Sequence, residues 1–234
     1  MKKGKLFLIP TFLIPDSDTN TLPPANLIIL NKLTVFIVEN VRTARRMLRK
    51  VGYDNDFDTI TFFELNKHTD PATAAGFISP ALKGNDIGLL SEAGAPGIAD
   101  PGAEIVSLAH QHGIRVVPLS GPSSIILALM ASGLNGQNFV FHGYLPIDKK
   151  ERSKKLQEIE SRSKVENQTQ VFIETPYRNN QMLDAIIKYC HPSTKLCVAC
   201  EIMHPDRESI HTTTVEAWSI RKPDLHKRPA VFLL

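Results

Sequence analysis

The chain has 234 residues, of which 42% are hydrophobic and 22% are charged, and its formal net charge is +3. These values are ordinary for a soluble globular protein of one large or two small domains, and the charge alone does not indicate a nucleic-acid partner. An odd count of three cysteines argues against a disulfide framework, and no apolar run approaches the roughly 20 residues that a membrane span needs. We therefore expect a cytoplasmic protein that has no membrane partner.

The first half of the chain alternates short apolar strands with helices. Strands are predicted at residues 5–9, 34–38, 59–65, 86–90 and 114–119, and helices at 25–32, 41–50, 71–82 and after Asp100. This order of elements predicts a parallel, doubly wound sheet. After the first strand, the polar and proline-containing residues 12–24 predict a mobile loop.

The helix predicted at residues 41–50 has an apolar face and a basic face. The basic face consists of Arg42, Arg45, Arg46 and Arg49. Such a pattern is typical of a solvated helix surface, and phosphate binding is the alternative. Glu39 and Arg42 stand apart, because they follow a strand at its carboxyl end, where the active sites of open α/β sheets collect.

Residues 89–102 form the most informative loop of the first half. Its glycines and proline allow the backbone to approach a ligand closely, and Glu92 and Asp100 can bind hydroxyls or a cationic group. Asp100 is also predicted to cap a helix that has Pro101 at its first position. A tight connection with a capped helix and a cofactor pocket both explain this loop when it is taken alone.

The second half begins at a tight turn over residues 120–124, and we place the domain boundary there, with domains at 1–119 and 120–234. Helices are predicted at 125–131, 148–160 and 181–189, and strands at 138–143, 170–174, 195–202, 212–217 and 230–234. The β-branched alternation of the later strands predicts antiparallel pairing, hence a mixed sheet. A basic run at 149–155 is explained equally well by a solvated helix surface and by RNA phosphate.

Several common chemistries are excluded by the sequence. Cys197 and Cys200 have C-x-x-C spacing, but residues three apart in a strand face opposite sides, so the two thiols cannot easily share a metal. The sequence contains no phosphate-binding loop and no nucleophile elbow, and Pro10 and Thr11 stand where a nicotinamide enzyme has its first glycines. Nucleotide hydrolysis, serine hydrolysis and ordinary hydride transfer are therefore not expected.

Five segments, in this order, resemble the tetrapyrrole methylase superfamily. They are Leu-Ile-Pro-Thr at 8–11, Ser-Glu-Ala-Gly-Ala-Pro-Gly-Ile-Ala-Asp-Pro-Gly at 91–102, Val-Val-Pro-Leu-Ser-Gly-Pro-Ser-Ser at 116–124, His-Gly-Tyr-Leu-Pro at 142–146 and Phe-Ile-Glu-Thr-Pro-Tyr-Arg at 172–178. The resemblance is greatest to the branch of small-subunit rRNA (cytidine-2′-O)-methyltransferases. It spans nearly the whole chain, and the block from 91 to 124 is its most specific part.

The resemblance implies a two-domain α/β methyltransferase that holds S-adenosylmethionine in the cleft between its domains, works as a homodimer and needs no metal. Carried onto this chain, the cofactor-binding positions are Pro10, Glu92, Ala93, Gly94, Ile98, Ser123, Ser124, Ile173, Ala199 and Ala230. Small residues at these positions would let the backbone approach the cofactor, and Glu92 could accept hydrogen bonds from hydroxyl or ammonium groups.

A ribose hydroxyl is a poor nucleophile, so a nearby base or electrostatic aid would help its methylation. The catalytic candidates are Glu39, Arg42, Glu174 and Arg178, all at predicted strand ends; an ion-pair network between the domains is the alternative role.

Two segments, 12–16 and 39–42, depart from the rRNA branch and affect the substrate side. The leading hypothesis is methylation of a ribose 2′-oxygen in ribosomal RNA. The alternatives are methylation of a porphyrin or corrin precursor and a non-catalytic cofactor-binding relative.

Overall fold

A computed structural model of the chain describes residues 2–14, 21–66 and 68–234. Residues 15–20, which belong to the loop predicted at 12–24, lie outside the described residues. The chain divides into two units, residues 1–123 and 124–234, and within the described residues each unit contains one five-stranded sheet. No helix in the described part of the chain is both long enough and apolar enough to cross a membrane.

The sheet of the first unit is entirely parallel, with the strand order β3-β2-β4-β1-β5. Its strands are β1 (Lys5–Ile9), β2 (Val35–Val38), β3 (Thr61–Glu64), β4 (Ile87–Leu90) and β5 (Arg115–Pro118). The helices are α1 (Pro24–Leu30), α2 (Val41–Lys50), α3 (Pro71–Gly76), α4 (Ser79–Leu82) and α5 (Ala103–Gln111), with a 3-10 helix at Phe57–Thr59. The predicted parallel, doubly wound sheet is confirmed.

Both faces of this sheet are covered, which explains why its strands are continuous apolar runs. Leu6 of β1 packs into a core cluster with residues of α3, α4 and α5, whereas Phe7 and Ile9 pack into a second cluster with α1 and α2. Because β1 and β4 are central and buried on both sides, the segments that follow them emerge together at the carboxyl edge of the sheet.

The second unit contains a mixed sheet with the strand order β6-β7-β10-β8-β9. The strands are β6 (Phe139–Tyr144), β7 (Thr169–Ile173), β8 (Lys195–Cys200), β9 (Ser209–Thr214) and β10 (Ala230–Leu233), and the helices are α6 (Ser124–Ser132), α7 (Lys149–Val165), α8 (Asn179–Tyr189) and α9 (Val215–Ile220). β6 and β7 are parallel, and the other pairs are antiparallel, which confirms the predicted mixed sheet. The stacked rings of Phe172 and Phe232, 5.7 Å apart, join β7 to β10 in the core.

Several predicted helix or strand bounds were wrong, and three of the differences have an identifiable physical reason. The helix predicted at 71–82 is divided into α3 and α4. In a continuous helix the N–H of residue 80 would donate to the carbonyl oxygen of Gly76, and Pro80 has no N–H. α5 begins at Ala103 with Gly102 as its N-cap residue at φ 131°, so Asp100 does not cap it. The strand predicted at 212–217 ends at Thr214, whose side chain accepts a hydrogen bond from Ala217 N and starts α9.

The cysteines lie in the core of the second unit. Cys200 belongs to the main hydrophobic cluster with Leu196 and Val198, whereas Cys197, one residue before Val198, points to the opposite face of β8. Cys190, Cys197 and Cys200 are all buried and unpaired. Among the described residues no group of histidine, cysteine or acidic side chains could hold a metal ion.

We expect these thiols to be unreactive in the folded protein. Burial raises the pKa of Cys190 to about 12 and that of Cys200 to about 11, and it also raises the pKa of Cys197, so the nucleophilic thiolate is scarce. A disulfide-exchange reagent at pH 8 should therefore label the native protein no faster than it unfolds and should label all three thiols in denaturant. Rapid labelling of the native chain would contradict this burial.

Candidate functional site

Polar side chains collect at the carboxyl edge of the first unit's sheet, where three neighbouring strands end. Thr11 follows β1, Glu39 follows β2, and Ser91 and Glu92 follow β4. Together with the first turns of α2 they line a small cleft, whose walls are Thr11, Val38, Glu39, Asn40, Thr43, Ala44, Met47, Leu90, Ser91 and Glu92.

Hydrogen bonds connect the two acids of this cleft to each other and to α2. The backbone N–H of Glu92 donates to Glu39 Oε1 at 3.0 Å, and Thr43 Oγ1 donates to Glu92 Oε1 at 2.5 Å. Asn40 caps α2, since its Oδ1 accepts from the backbone N–H groups of Arg42 and Thr43 at 3.0 and 3.1 Å. The loop after β4 is thereby held against the start of α2.

The surroundings of Glu39 and Asp100 raise the pKa values of both carboxyl groups. Burial raises the pKa of Glu39, the charges of Asp100 and Glu92 raise it further, and the N–H of Glu92 opposes the rise. Burial likewise raises the pKa of Asp100, with a smaller contribution from Glu92, and the hydroxyl of Ser91 opposes it. A carboxyl group whose pKa is shifted toward neutrality is suited to accept a proton from a substrate.

Thr11 presents a hydroxyl that fits a ligand at this edge. The residue is only 3% exposed, and its Oγ1 has no hydrogen-bond partner within the residues described. Its backbone N–H donates to the carbonyl oxygen of Gly94 at 2.8 Å, which ties the segment after β1 to the loop after β4. Because buried hydroxyls are normally hydrogen-bonded, a bound polar group would supply the missing partner.

Two glycines allow the loops at this edge to come close together. Gly94 has φ +73°, and a Cβ there would lie 3.1 Å from Leu13 Cδ2 and 3.6 Å from the carbonyl oxygen of Pro122. A Cβ on Gly121 would lie 2.2 Å from Pro10 Cγ, inside the van der Waals limit. The segments after β1, β4 and β5 therefore form a backbone-walled cradle of the kind that a small molecule needs.

The structure thus brings together part of the predicted cofactor set in the first unit. Pro10, Glu92, Ala93 and Gly94 lie in the adjoining loops after β1 and β4. Ile98 is 48% exposed in the continuation of the β4 loop. Ser123 ends the first unit, and Ser124 begins both the second unit and α6.

In the second unit, the predicted catalytic pair Glu174 and Arg178 forms an ion pair. The Glu174 side chain is fully buried, and its Oε1 accepts from Arg178 Nη2 at 2.6 Å, from Arg178 Nε at 3.0 Å and from the backbone N–H of Thr175 at 2.6 Å. This ion pair joins two residues of one unit, whereas the alternative role suggested from the sequence was a network between the domains. Such a carboxylate is suited to position Arg178.

The remaining cofactor positions lie where β7, β10 and β8 meet. Val231 of β10 is paired with Ile173 on one side and with Ala199 on the other, so these three side chains share a face. Ala230 is paired with Cys200, and its side chain packs in the hydrophobic core on the opposite face.

Arg42 is exposed, and its side chain makes no hydrogen bond or ion pair with the rest of the described chain.

Sequence reasoning missed Thr11, Thr43 and Ser91 as site residues, and it gave Asp100 two roles, as a ligand-binding acid and as a helix cap. Thr11 and Ser91 carried a usable signal, since each is a hydroxyl residue within two positions of the end of a buried strand. Thr43 carried none, because its contact with Glu92 spans 49 residues of sequence and depends on the neighbouring positions of β2 and β4.

A family model described as Tetrapyrrole (Corrin/Porphyrin) Methylases matches residues 14–217. The chain belongs to the tetrapyrrole methylase family. The family resemblance of the sequence motifs is confirmed by this match.

Solved structures agree on the fold. The methyltransferase CobJ has a TM-score of 0.64 at 15% identity, and the match covers 98% of this chain and 93% of the CobJ chain. A uroporphyrin-III-C-methyltransferase from Thermus thermophilus has a TM-score of 0.57 at 18% identity, covering 100% and 92%.

Within the tetrapyrrole methylases, similar curated proteins carry the name ribosomal RNA small subunit methyltransferase I. The protein of Pseudomonas aeruginosa is 32% identical over 178 residues, which are 76% of this chain and 59% of the relative. That of Escherichia coli O157:H7 is 30% identical over 233 residues, 99% of this chain and 77% of the relative. The chain therefore spans about three fifths of the Pseudomonas relative and more than three quarters of the E. coli one.

Proposed function

We propose that this tetrapyrrole methylase transfers a methyl group from S-adenosylmethionine to a ribose 2′-oxygen of ribosomal RNA. The observation that carries the proposal is the carboxyl edge of the first sheet, where a glycine cradle adjoins the hydrogen-bonded acids Glu39 and Glu92. The names of the similar proteins support ribosomal RNA as the substrate class.

The chain offers suitable groups for the cofactor. The unpartnered hydroxyl of Thr11 and the open φ of Gly94 fit a ligand that presses on the backbone and offers hydrogen bonds. We assign cofactor binding to Pro10, Glu92, Ala93, Gly94, Ile98, Ser123, Ser124, Ile173, Ala199 and Ala230, with Thr11 added. In this proposal the domain at 1–119 carries the substrate side and the cofactor loop, and the domain at 120–234 supplies the other contacts. When bound, S-adenosylmethionine supplies an electrophilic methyl group.

The chain itself must then position the nucleophile and take its proton. Glu39 is the best candidate for the base, because its raised pKa and its hydrogen bond from Glu92 N place a proton acceptor at a fixed position. Arg42 is exposed at the start of α2 and is suited to hold the substrate's phosphate. Glu174 orients Arg178, whose remaining N–H groups can bind an anionic or carbonyl oxygen.

The proposal is tested in two steps. Calorimetry with S-adenosylmethionine comes first, and absence of binding below millimolar concentration would overturn the cofactor assignment. Tritiated cofactor is then given with small-subunit rRNA from a strain lacking this protein, and the RNA is digested to nucleosides. Label in a 2′-O-methyl nucleoside supports the proposal, and label on a base contradicts the assigned atom. Label on a porphyrin precursor, or binding without any transfer, would replace it with one of the alternative functions.

We also propose that the protein acts in the cytoplasm, which fits a ribosomal RNA substrate and three unpaired cysteines. The family resemblance is the basis for proposing that it is a homodimer. Sedimentation equilibrium checks the dimer: a mass near twice the 26.0 kDa of the chain is expected.

A further inference from the structure

The helix α2 carries an arginine row, by which we mean Arg42, Arg45, Arg46 and Arg49. Residues three, four and seven apart lie on one face of a helix, and α2 contains no acidic residue. Its other side is anchored, since Ala44 and Leu48 are buried in the core of the first unit. The charges therefore stand on a rigid element and share one direction.

Aromatic rings hold two members of the arginine row in place. The guanidinium of Arg45 lies 5.6 Å from the ring centre of Phe57 and 5.5 Å from that of Phe62, and the guanidinium of Arg49 lies 5.1 Å from Phe57. The two rings are themselves stacked, 6.4 Å apart. Cation–π contacts orient a guanidinium without neutralising its charge, which lowers the entropy lost when it binds an anion.

The charges of the row are not neutralised by nearby carboxylates. Over the described ranges, none of the four arginines forms an ion pair within 4.0 Å, and Arg45 Nε is buried with no acceptor. Two acids flank Phe57. Asp56 caps the 3-10 helix by accepting from Asp58 N, and among the described residues neither Asp56 nor Asp58 forms an ion pair with the row. The row is thus an unsatisfied set of anion-binding donors.

α7, which contains the basic run at 149–155, differs in part, because some of its basic residues are paired with acids of the same helix. There Lys155 pairs with Glu158 at 3.0 Å, and Lys164 pairs with Glu160 at 3.3 Å. Arg162 is also within 3.7 Å of Glu158. Pairs of this kind reduce the field that an external anion meets, so α7 supplies a control surface of similar composition.

The spacing of the row fits a polyanion better than a single phosphate. Arg42 and Arg49 are seven residues apart, which is about 10 Å along a helix, with Arg45 and Arg46 between them. A nucleic-acid strand presents a phosphate every few ångströms and gains affinity from each one neutralised. A membrane surface is disfavoured, because the apolar face of α2 is already buried and cannot insert.

We propose that the arginine row binds the sugar–phosphate backbone of the RNA that the enzyme methylates. This inference rests on the proposed function, which names RNA as the partner, and it assigns the surface of the protein that binds this RNA. Because Asn40 and Thr43 of the same helix line the cleft beside Glu39, RNA held along α2 is held next to the candidate base. Phosphate contacts set position and register, and the cleft selects the reacting ribose.

The test removes two charges from each helix in the full chain. The variant R46Q/R49Q changes the row and leaves Arg42 and Arg45 in place, and K154Q/R162Q changes exposed residues of α7. Binding of labelled single-stranded rRNA fragments is followed by fluorescence anisotropy over a salt series. For R46Q/R49Q we expect at least about a 10-fold loss of affinity at low salt and a slope of log K against log salt that is smaller by about 1.4. The α7 variant should keep the wild-type slope to within about 0.3.

The outcomes separate this inference from the proposed function. A wild-type slope and affinity in R46Q/R49Q, or an equal loss in the α7 variant, would overturn the arginine row as the RNA surface while methylation of RNA stands. If polyglutamate of matched charge competes as well as RNA does, the row serves a protein partner and the inference fails. If the wild-type chain neither binds nor methylates RNA, the proposed function fails first. Far-UV circular dichroism confirms that each variant is folded.

Discussion

Replacing Gly94 by valine is expected to weaken S-adenosylmethionine binding by at least about 10-fold. The residue has φ +73°, where a β-branched side chain is strained by roughly 1–2 kcal/mol or more, and its Cβ would press on Leu13 at 3.1 Å. Relief of the strain must move the Gly94 carbonyl, which accepts the hydrogen bond from Thr11 N. That movement alters the cradle on two sides, and calorimetry at constant temperature measures the loss.

Gly133→Val is the matched control for this prediction. Gly133 also has a positive φ, +68°, but a Cβ there would meet nothing within 4 Å, and the residue follows α6 in the second unit. It should reproduce the backbone strain while the cofactor affinity stays within about 2-fold of wild type. Wild-type affinity in Gly94→Val would show that the loop after β4 is not part of the cofactor site.

Replacing Glu39 by glutamine is expected to slow methyl transfer by about 10²–10⁴-fold, the usual contribution of a general base. Glutamine keeps the size of the side chain, and its carbonyl oxygen can still accept from Glu92 N. The cofactor affinity should therefore remain close to wild type, so that the loss appears in the rate of a single turnover. Glu166→Gln, which changes an exposed acid at the end of α7, should leave that rate unaltered.

The pH dependence gives the same prediction an independent check. Because burial and neighbouring acids raise the pKa of Glu39, the carboxylate form is lost on acidification at a pH above its ordinary 4.5. In the wild type, the transfer rate should decrease as the pH is lowered through the raised pKa of Glu39. In Glu39→Gln this acidic decrease should be absent. A wild-type rate and profile in the variant would exclude Glu39 as the base.

The stability of Glu39→Gln should move in the opposite direction from its activity. A carboxyl group with a raised pKa in the folded state stabilises the fold below its unfolded pKa, and this contribution is lost as the pH rises through the folded value. At neutral pH the wild type no longer has this stabilising contribution, because the buried carboxyl group is charged. Glutamine is uncharged, so its burial does not carry the cost of desolvating a charge. Thermal unfolding at pH 7 should therefore find the variant at least as stable as the wild type, which excludes unfolding as the cause of inactivity.

Much of the fold could be predicted because strand and helix signals were local. The predicted bounds of β1 and of α2 agree with the structure, since an apolar run that ends at Pro10 and an amphipathic period after Asn40 depend only on neighbouring residues. The start of α5 could not be predicted in this way. Asp100 and Pro101 form a good local cap signal, but Gly102 at φ 131° is the N-cap residue and the helix begins at Ala103 instead.

The candidate site was predictable to the level of strand ends and no further. Glu39 and Glu92 could be assigned to one edge because both follow buried parallel strands. Their mutual hydrogen bond and the contact with Thr43 depend on β2 and β4 being neighbours, which the order of elements does not specify. Glu174 and Arg178 are four residues apart, but the sequence suggested only a network between the domains, and both their mutual pairing and the burial of Glu174 required the structure.

The central position of β10 has a consequence for the synthesis of the protein. β7 and β8 both pair with β10, so their facing edges have no backbone partner until residues 230–233 have left the ribosome. The first unit can complete its sheet once β5 has been made, more than a hundred residues earlier. During synthesis the chain therefore passes through a stage in which the sheet of the first unit is complete and the second unit has two unpaired strand edges. Chaperone binding at this stage would protect the second unit from aggregation.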